Sequence, residues 1–207
     1  MSTDAFVHPD EIRSMFSSAM SDMYRSEVPQ YGTLMELVSE INQSKLEVDP
    51  ELADRLAHNG ELERIDLERH GAIRLGKPEE LFNMRRLFAV MGMHPVGYYD
   101  LSVAGVPVHS TAFRPTDEEA LKRNPFRVFT SLLRLELIED EDLRSQAEGI
   151  LAQRDIFTPD AIKLIYLAEK NGGLTPTQAE QFVAEALETF RWHSDATVTL
   201  ETYQKLH

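Results

Sequence analysis

The 207-residue chain carries 21 basic and 35 acidic side chains, a formal net charge of -14, 42% hydrophobic residues and no cysteine. That composition builds a core of ordinary size and excludes disulfides, thiolate metal sites and cysteine nucleophiles. It argues against nucleic acid as a partner, for which a basic patch is the usual footprint, although a few arginines can still make a positive pocket for a small anion. No apolar run approaches the roughly 20 residues of a membrane span. The start, Met1-Ser2-Thr3-Asp4, lacks a basic region followed by an apolar one, so no signal peptide and a cytoplasmic location are expected.

Residues 10–24 predict an amphipathic helix. Ile12, Met15, Phe16, Ala19, Met20, Met23 and Tyr24 recur at helical spacing behind Pro9, which suits a first helical position. Val28 to Gly32 breaks the pattern, and Leu34, Leu37, Val38 and Ile41 define a second helix. Asp49-Pro50 starts a short third one as N-cap and first residue. Residues 1–60 therefore read as a helical segment. Residues 69–75 then suit a strand, and Pro78-Glu79-Glu80 opens a helix with Leu81, Met84, Leu87, Phe88 and Met91 inward and Gly92 as its stop. The basic pair Arg85-Arg86 on that helix reads as solvated. Residues 96–102 and 106–114 suit two further strands around the turn at Ala104-Gly105, and Asp117 to Arg123 gives one or two helical turns. Phe126 to Leu133 suits a fourth strand.

The predicted class is α+β, with a β-α-β-β-β module over residues 61–138 between helical segments 1–60 and 139–207. In the last segment Asp140 to Gln153 is helix-prone. Thr158-Pro159 caps a helix ending at Gly172-Gly173, and Thr175 to Gln178 has capping-box spacing before another. Leu200 to His207 resembles an interrupted element.

Seven histidines are present: His8, His58, His70, His94, His109, His193 and His207. None forms a His-x-His or His-x-x-x-His pair, and there is no His-Glu-x-x-His helix, P-loop, Gly-x-Ser-x-Gly elbow or dinucleotide fingerprint. The stretch with most chemical content is Glu68-Arg69-His70-Gly71-Ala72-Ile73-Arg74. On an extended segment residues of even separation share a face, so His70, Ala72 and Arg74 would present an imidazole, a small gap and a guanidinium fork together. His109 reads as a buried, hydrogen-bonded histidine rather than a site residue, and His94 before Pro95 as a loop residue. His193 beside Trp192 is a lesser cleft candidate. Glu136 is the nearest candidate carboxylate ligand, although a solvated residue in the acidic run to Asp142 is the plainer reading.

Four blocks carry a family resemblance: residues 68–74, Gly97-Tyr98-Tyr99-Asp100-Leu101-Ser102, His109 to Pro115, and Asn124 to Arg134. With the β-α-β-β-β order they resemble a vicinal-oxygen-chelate module. More specifically they resemble the N-terminal part of the 2-oxoadipate dioxygenase/decarboxylase family, the 2-hydroxyglutarate synthases. The resemblance implies non-haem iron(II) held by two histidines and a glutamate. It also implies conversion of 2-oxoadipate and dioxygen to 2-hydroxyglutarate and carbon dioxide in lysine catabolism. Only His70 matches an iron ligand, and Arg74 matches the arginine that holds a substrate carboxylate. Both are thus candidate catalytic and substrate-binding residues. The remaining ligands would lie beyond His207, in a protein about twice this length. The implied chain is one part of a two-module protein, not a competent dioxygenase alone, and prone to weak self-association through apolar surface left uncovered. The alternatives are another vicinal-oxygen-chelate metalloenzyme, or a module that binds a small carboxylate without catalysis.

Overall fold

The computed structural model describes residues 5–58 and 70–191. Glu68, Arg69, Trp192, His193 and the segment from Leu200 to His207 lie outside them. The described elements run α1 (Pro9–Glu27), α2 (Pro29–Val48), α3 (Pro50–His58), β1 (His70–Leu75), α4 (Pro78–Val90), β2 (His94–Asp100), β3 (Val108–Arg114), α5 (Glu118–Arg123), β4 (Arg127–Leu133), α6 (Glu141–Ala152), α7 (Pro159–Asn171) and α8 (Pro176–Glu188). The mixed α+β class and the β-α-β-β-β order are as the sequence predicts, with the short α5 between β3 and β4. No helix among the described residues is long and apolar enough to cross a membrane.

The helix ends follow their capping residues. The Thr158 hydroxyl accepts the Ala161 N–H at 3.0 Å, and α7 stops where Gly172 takes a φ of 81°, a left-handed conformation that costs glycine little. Thr175 and Gln178 form the reciprocal capping box that opens α8. Two expectations are corrected. The break between the first two helices is Val28 alone, extended at φ -126°, because a proline at the first position of α2 restrains its predecessor while losing no helical bond. His94 is the first residue of β2 rather than a loop residue, since Pro95 sits beside a bulge at Val96 on an edge strand, where a missing N–H is tolerated.

The sheet order is β1-β4-β3-β2, with β1 parallel to β4 and the other pairs antiparallel. Register fixes which side chains share a face. One set of cross-sheet rows is Gly71-Val128-Phe113-Pro95, Ile73-Thr130-Thr111-Tyr98 and Leu75-Leu132-His109-Asp100. Most of this face meets the helices. Phe16 of α1 lies edge-on to Phe126, Phe88 of α4 packs 5.0 Å from Phe113, and α7 and α8 add Leu164, Ile165, Phe182 and Val183 to the same core. Each such fully buried side chain contributes about 1.5–3 kcal/mol relative to exposure. Gly71 is needed for close approach: a Cβ there would lie 3.1 Å from Met20 Cε and 3.3 Å from Val128 Cγ2.

Candidate functional site

The other face of the sheet carries the pairs His70-Arg127 and Arg114-His94, which follow the Val128-Phe113 pairing by one residue and so form one row, and the rows Ala72-Phe129-Ala112-Gly97 and Arg74-Ser131-Ser110-Tyr99. Among the described residues these rows hold three arginines and two histidines and no carboxylate, in a chain of net charge -14. A face so composed favours an anion, because its positive field is not cancelled locally. His70, Ala72 and Arg74 are all exposed while Gly71, Ile73 and Leu75 turn to the core. The even spacing read from the sequence therefore holds. At about 3.3 Å per residue, His70 and Arg74 stand roughly 13 Å apart at their backbones, a span that their side chains shorten.

Arg74 opens onto a cavity of about 480 Å³ between this face and α6, lined by Ser131, Leu133, Val108, Pro107, Ile150 and Leu151 among others. The wall is mainly apolar, with polar groups confined to one end, the usual make-up of a small-molecule pocket. Among the described residues the Arg74 guanidinium pairs with no carboxylate. Arg154, at the end of α6, lines the same cavity and the wider groove beside it. Its Nη2 donates to the Arg74 carbonyl at 3.0 Å, and its Nε lies 3.0 Å from Glu80 Oε1, as an ion pair rather than a directed hydrogen bond. Glu80 is buried, and its other oxygen accepts the Gly76 N–H at 2.7 Å. Lys77 Nζ donates to the Arg154 carbonyl. Sequence reading missed Arg154 and Ser131, which lie far from Arg74 in the chain. No local spacing signals them.

The other candidates are not brought to His70. His109 is on the opposite face, in the row that ends at Asp100. Its Nδ1 accepts from Arg134 Nη1 and contacts the Tyr98 hydroxyl, which leaves the proton of the neutral ring on Nε2, 3.3 Å from Asp100 Oδ1. It is hydrogen-bonded, as the sequence reading expects. Glu136, exposed on a 3-10 turn, is engaged by Arg134, whose guanidinium holds its carboxyl below the usual range. Arg85 is exposed, but Arg86 is half-buried and forks onto Glu169 of α7 at 2.8 Å through both Nε and Nη2. Tertiary contact thus takes Arg86 out of the solvated pair that the sequence predicts. His94 shares a row with His70 but stands three inter-strand steps away, about 14 Å, too far to share an ion. No group of three His, Asp or Glu able to hold a metal forms among the described residues.

A family model for 2-oxoadipate dioxygenase/decarboxylase matches residues 16–207. A curated 2-oxoadipate dioxygenase/decarboxylase from Pseudomonas putida is 63% identical over 207 residues, covering 100% of this chain and 45% of that protein. The crystal structure of hydroxyglutarate synthase in complex with 2-oxoadipate, also from Pseudomonas putida, superposes with a TM-score of 0.93 at 64% identity. It covers 100% of this chain and 46% of that one. A glyoxalase-superfamily protein from Ralstonia eutropha, at 21% identity and a TM-score of 0.51, covers 67% of this chain and 43% of its own, a likeness of fold alone. The chain thus spans about half the length of the relatives it matches.

Proposed function

The chain belongs to the 2-oxoadipate dioxygenase/decarboxylase family, and from that premise we propose that its open sheet face contributes to the decarboxylation and hydroxylation of 2-oxoadipate by dioxygen. The products are 2-hydroxyglutarate and carbon dioxide, a step of lysine catabolism. The observation that carries this reading is Arg74, lining a mostly apolar cavity on a face that holds His70 and, among the described residues, no carboxylate. A guanidinium forks onto a carboxylate through two parallel hydrogen bonds, which fixes orientation as well as charge. The apolar wall from Leu133, Val108 and Ile150 suits the methylene chain between the two ends of such an acid.

His70 suits one ligand of a 2-His-1-carboxylate iron(II) site: it is exposed, on the same face as Arg74, and at the opposite end of β1. Among the described residues no group of three His, Asp or Glu that could hold a metal forms around it. Iron(II), when bound, supplies coordination of the 2-oxo acid and activation of dioxygen. The protein groups described here act around that chemistry. Arg74 holds the distal carboxylate, His70 lies toward the 2-oxo end, and the face between them carries Ala72, whose small side chain leaves room for the acid.

The test uses the chain as it stands, by NMR under anaerobic conditions. Iron(II) followed by 2-oxoadipate should broaden the His70 imidazole and the Ala72 and Phe129 amides, and 2-oxoadipate alone should shift the Arg74 guanidinium resonances. Broadening centred elsewhere, or retained in His70→Ala, would refute the ligand role. Unaltered 2-oxoadipate shifts in Arg74→Ala would refute the carboxylate role.

A further inference from the structure

We propose that Arg154 is a second carboxylate-recognising residue of this cavity and sets its selectivity for a dicarboxylic over a monocarboxylic 2-oxo acid. The inference rests on the reading of Arg74 given above and extends it to a residue that lies 80 positions along the chain.

At the cavity end formed by β1 and α6, Arg74 and Arg154 line the wall, Lys77 Nζ stands behind them on the Arg154 carbonyl, and Glu80 brings one carboxylate. Glu80 is committed: one oxygen takes the backbone N–H groups of Gly76 and Lys77, and the other faces Arg154 Nε. Its charge offsets one cation and leaves an excess at the cavity. Geometry gives the same result. Arg154 spends Nε on Glu80 and one Nη2 proton on the Arg74 carbonyl. A guanidinium has five N–H donors in a fixed fork, so its Nη1 edge remains for a ligand. No acceptor among the described residues takes that edge, while the Arg154 side chain is 32% exposed and lines the cavity. The anchoring to Glu80 and to the Arg74 backbone also fixes the fork in advance, so little rotamer freedom is lost when an anion arrives. Two guanidiniums then address one carboxylate, Arg74 from the sheet face and Arg154 from the strand edge. A methyl group in place of that carboxylate would leave both without a partner, which is how a polar site rejects an analogue that lacks the group it was built for.

The experiment measures binding of 2-oxoadipate and of 2-oxohexanoate, its analogue with a methyl in place of the distal carboxylate, by NMR titration of the arginine Nε–H resonances and by calorimetry. The unaltered chain should prefer 2-oxoadipate. Arg154→Gln should lower that preference about tenfold or more, leaving 2-oxohexanoate binding unchanged. Arg154→Lys, which keeps a charge near Glu80 but not the fork, guards against misfolding and should also lower it. Glu80→Gln, which removes the ion pair but keeps an acceptor for the Gly76 N–H, separates contact from support: it should lower the preference less than Arg154→Gln does, because the Nη1 edge remains and only part of its anchoring is lost. An unchanged preference in both Arg154 variants overturns the inference while sensitivity to Arg74→Gln leaves the Arg74 reading standing. Equal loss in Glu80→Gln also overturns it, by making Arg154 a support only. No preference in the unaltered chain, or none lost in Arg74→Gln, sinks both.

Discussion

At the level of single side chains, Arg74 and Asp100 show how environment assigns roles to groups of ordinary chemistry. Arg74 pairs with no carboxylate among the described residues and opens on a cavity. Arg74→Lys keeps the charge but loses the bidentate fork, so 2-oxoadipate affinity should fall by about 1.5–3 kcal/mol, roughly 10- to 100-fold. Equal calorimetric affinities for the two proteins would reject the fork. Asp100 is a different case. The Ser102 hydroxyl and amide both donate to its Oδ1, and His109 and Arg134 lie near, so its carboxyl is held below the usual range. A lowered folded value means that the interaction is fully present above the ordinary carboxylate pKa and is lost as pH falls through the lowered one. Ser102→Ala should therefore raise the Asp100 midpoint in a carboxyl-carbon NMR titration, and an unmoved midpoint would show that Ser102 is not the principal cause.

Between elements, a fully buried polar tie is made by Arg13 of α1, which is 0% exposed. Its Nε, Nη1 and Nη2 donate to the carbonyls of Asn124, Met91 and Ala120 at 2.9–3.0 Å, and Asp10 lies 2.8 Å from Nη1. One side chain thus joins α1 to the end of α4 and to α5, at Ala120 and at its C-cap Asn124. Burial pulls its pKa down and the Asp10 contact opposes that fall. Arg13→Met would remove the side-chain donor from the Asn124 and Met91 carbonyls and leave Asp10 to Arg123, with Ala120 still accepting the Asn124 N–H, at a cost of about 2–5 kcal/mol. Denaturant unfolding measures this directly. A loss below about 1 kcal/mol would mean that water replaces the guanidinium. The Arg86–Glu169 fork joining α4 to α7 is more exposed and is worth less, on the order of 0.5 kcal/mol, with salt screening it further.

Across the whole molecule, the sheet divides the chemistry. One face is largely covered by helices, and the other keeps its basic and aromatic residues accessible, including Phe129 and Tyr99. Neighbouring positions of β1 should therefore respond differently to the same change. Gly71→Val faces Met20 and Val128 at 3.1 and 3.3 Å and should destabilise by about 1–3 kcal/mol through overpacking. Ala72→Val, on the open face, should lie within about 0.5 kcal/mol of the parent. Similar melting temperatures for the two variants would reject the assignment of faces.

The sequence by itself determined the elements and the face shared by His70 and Arg74. Helical spacing of Ile12, Phe16, Met20 and Met23, the caps at Thr158 and Thr175, and the two-residue period of a strand are local properties, set by backbone geometry within a few residues. The family resemblance was equally local, carried by blocks such as residues 68–74 and 124–134. What only the tertiary structure decided depends on pairs distant in the chain. Register placed His109 opposite to His70, gave His94 a place on β2, and set the cavity between β1 and α6. The crossover that returns β4 beside β1 is what brings Ser131 next to Arg74. Arg154 reaches the Arg74 carbonyl only because α6 packs over the end of the sheet, where Leu151 lies so close to Gly76 that a Cβ there would meet it at 2.2 Å. Charge and periodicity are written along the chain, but a binding site is made where segments converge, and convergence is fixed by packing against a common core.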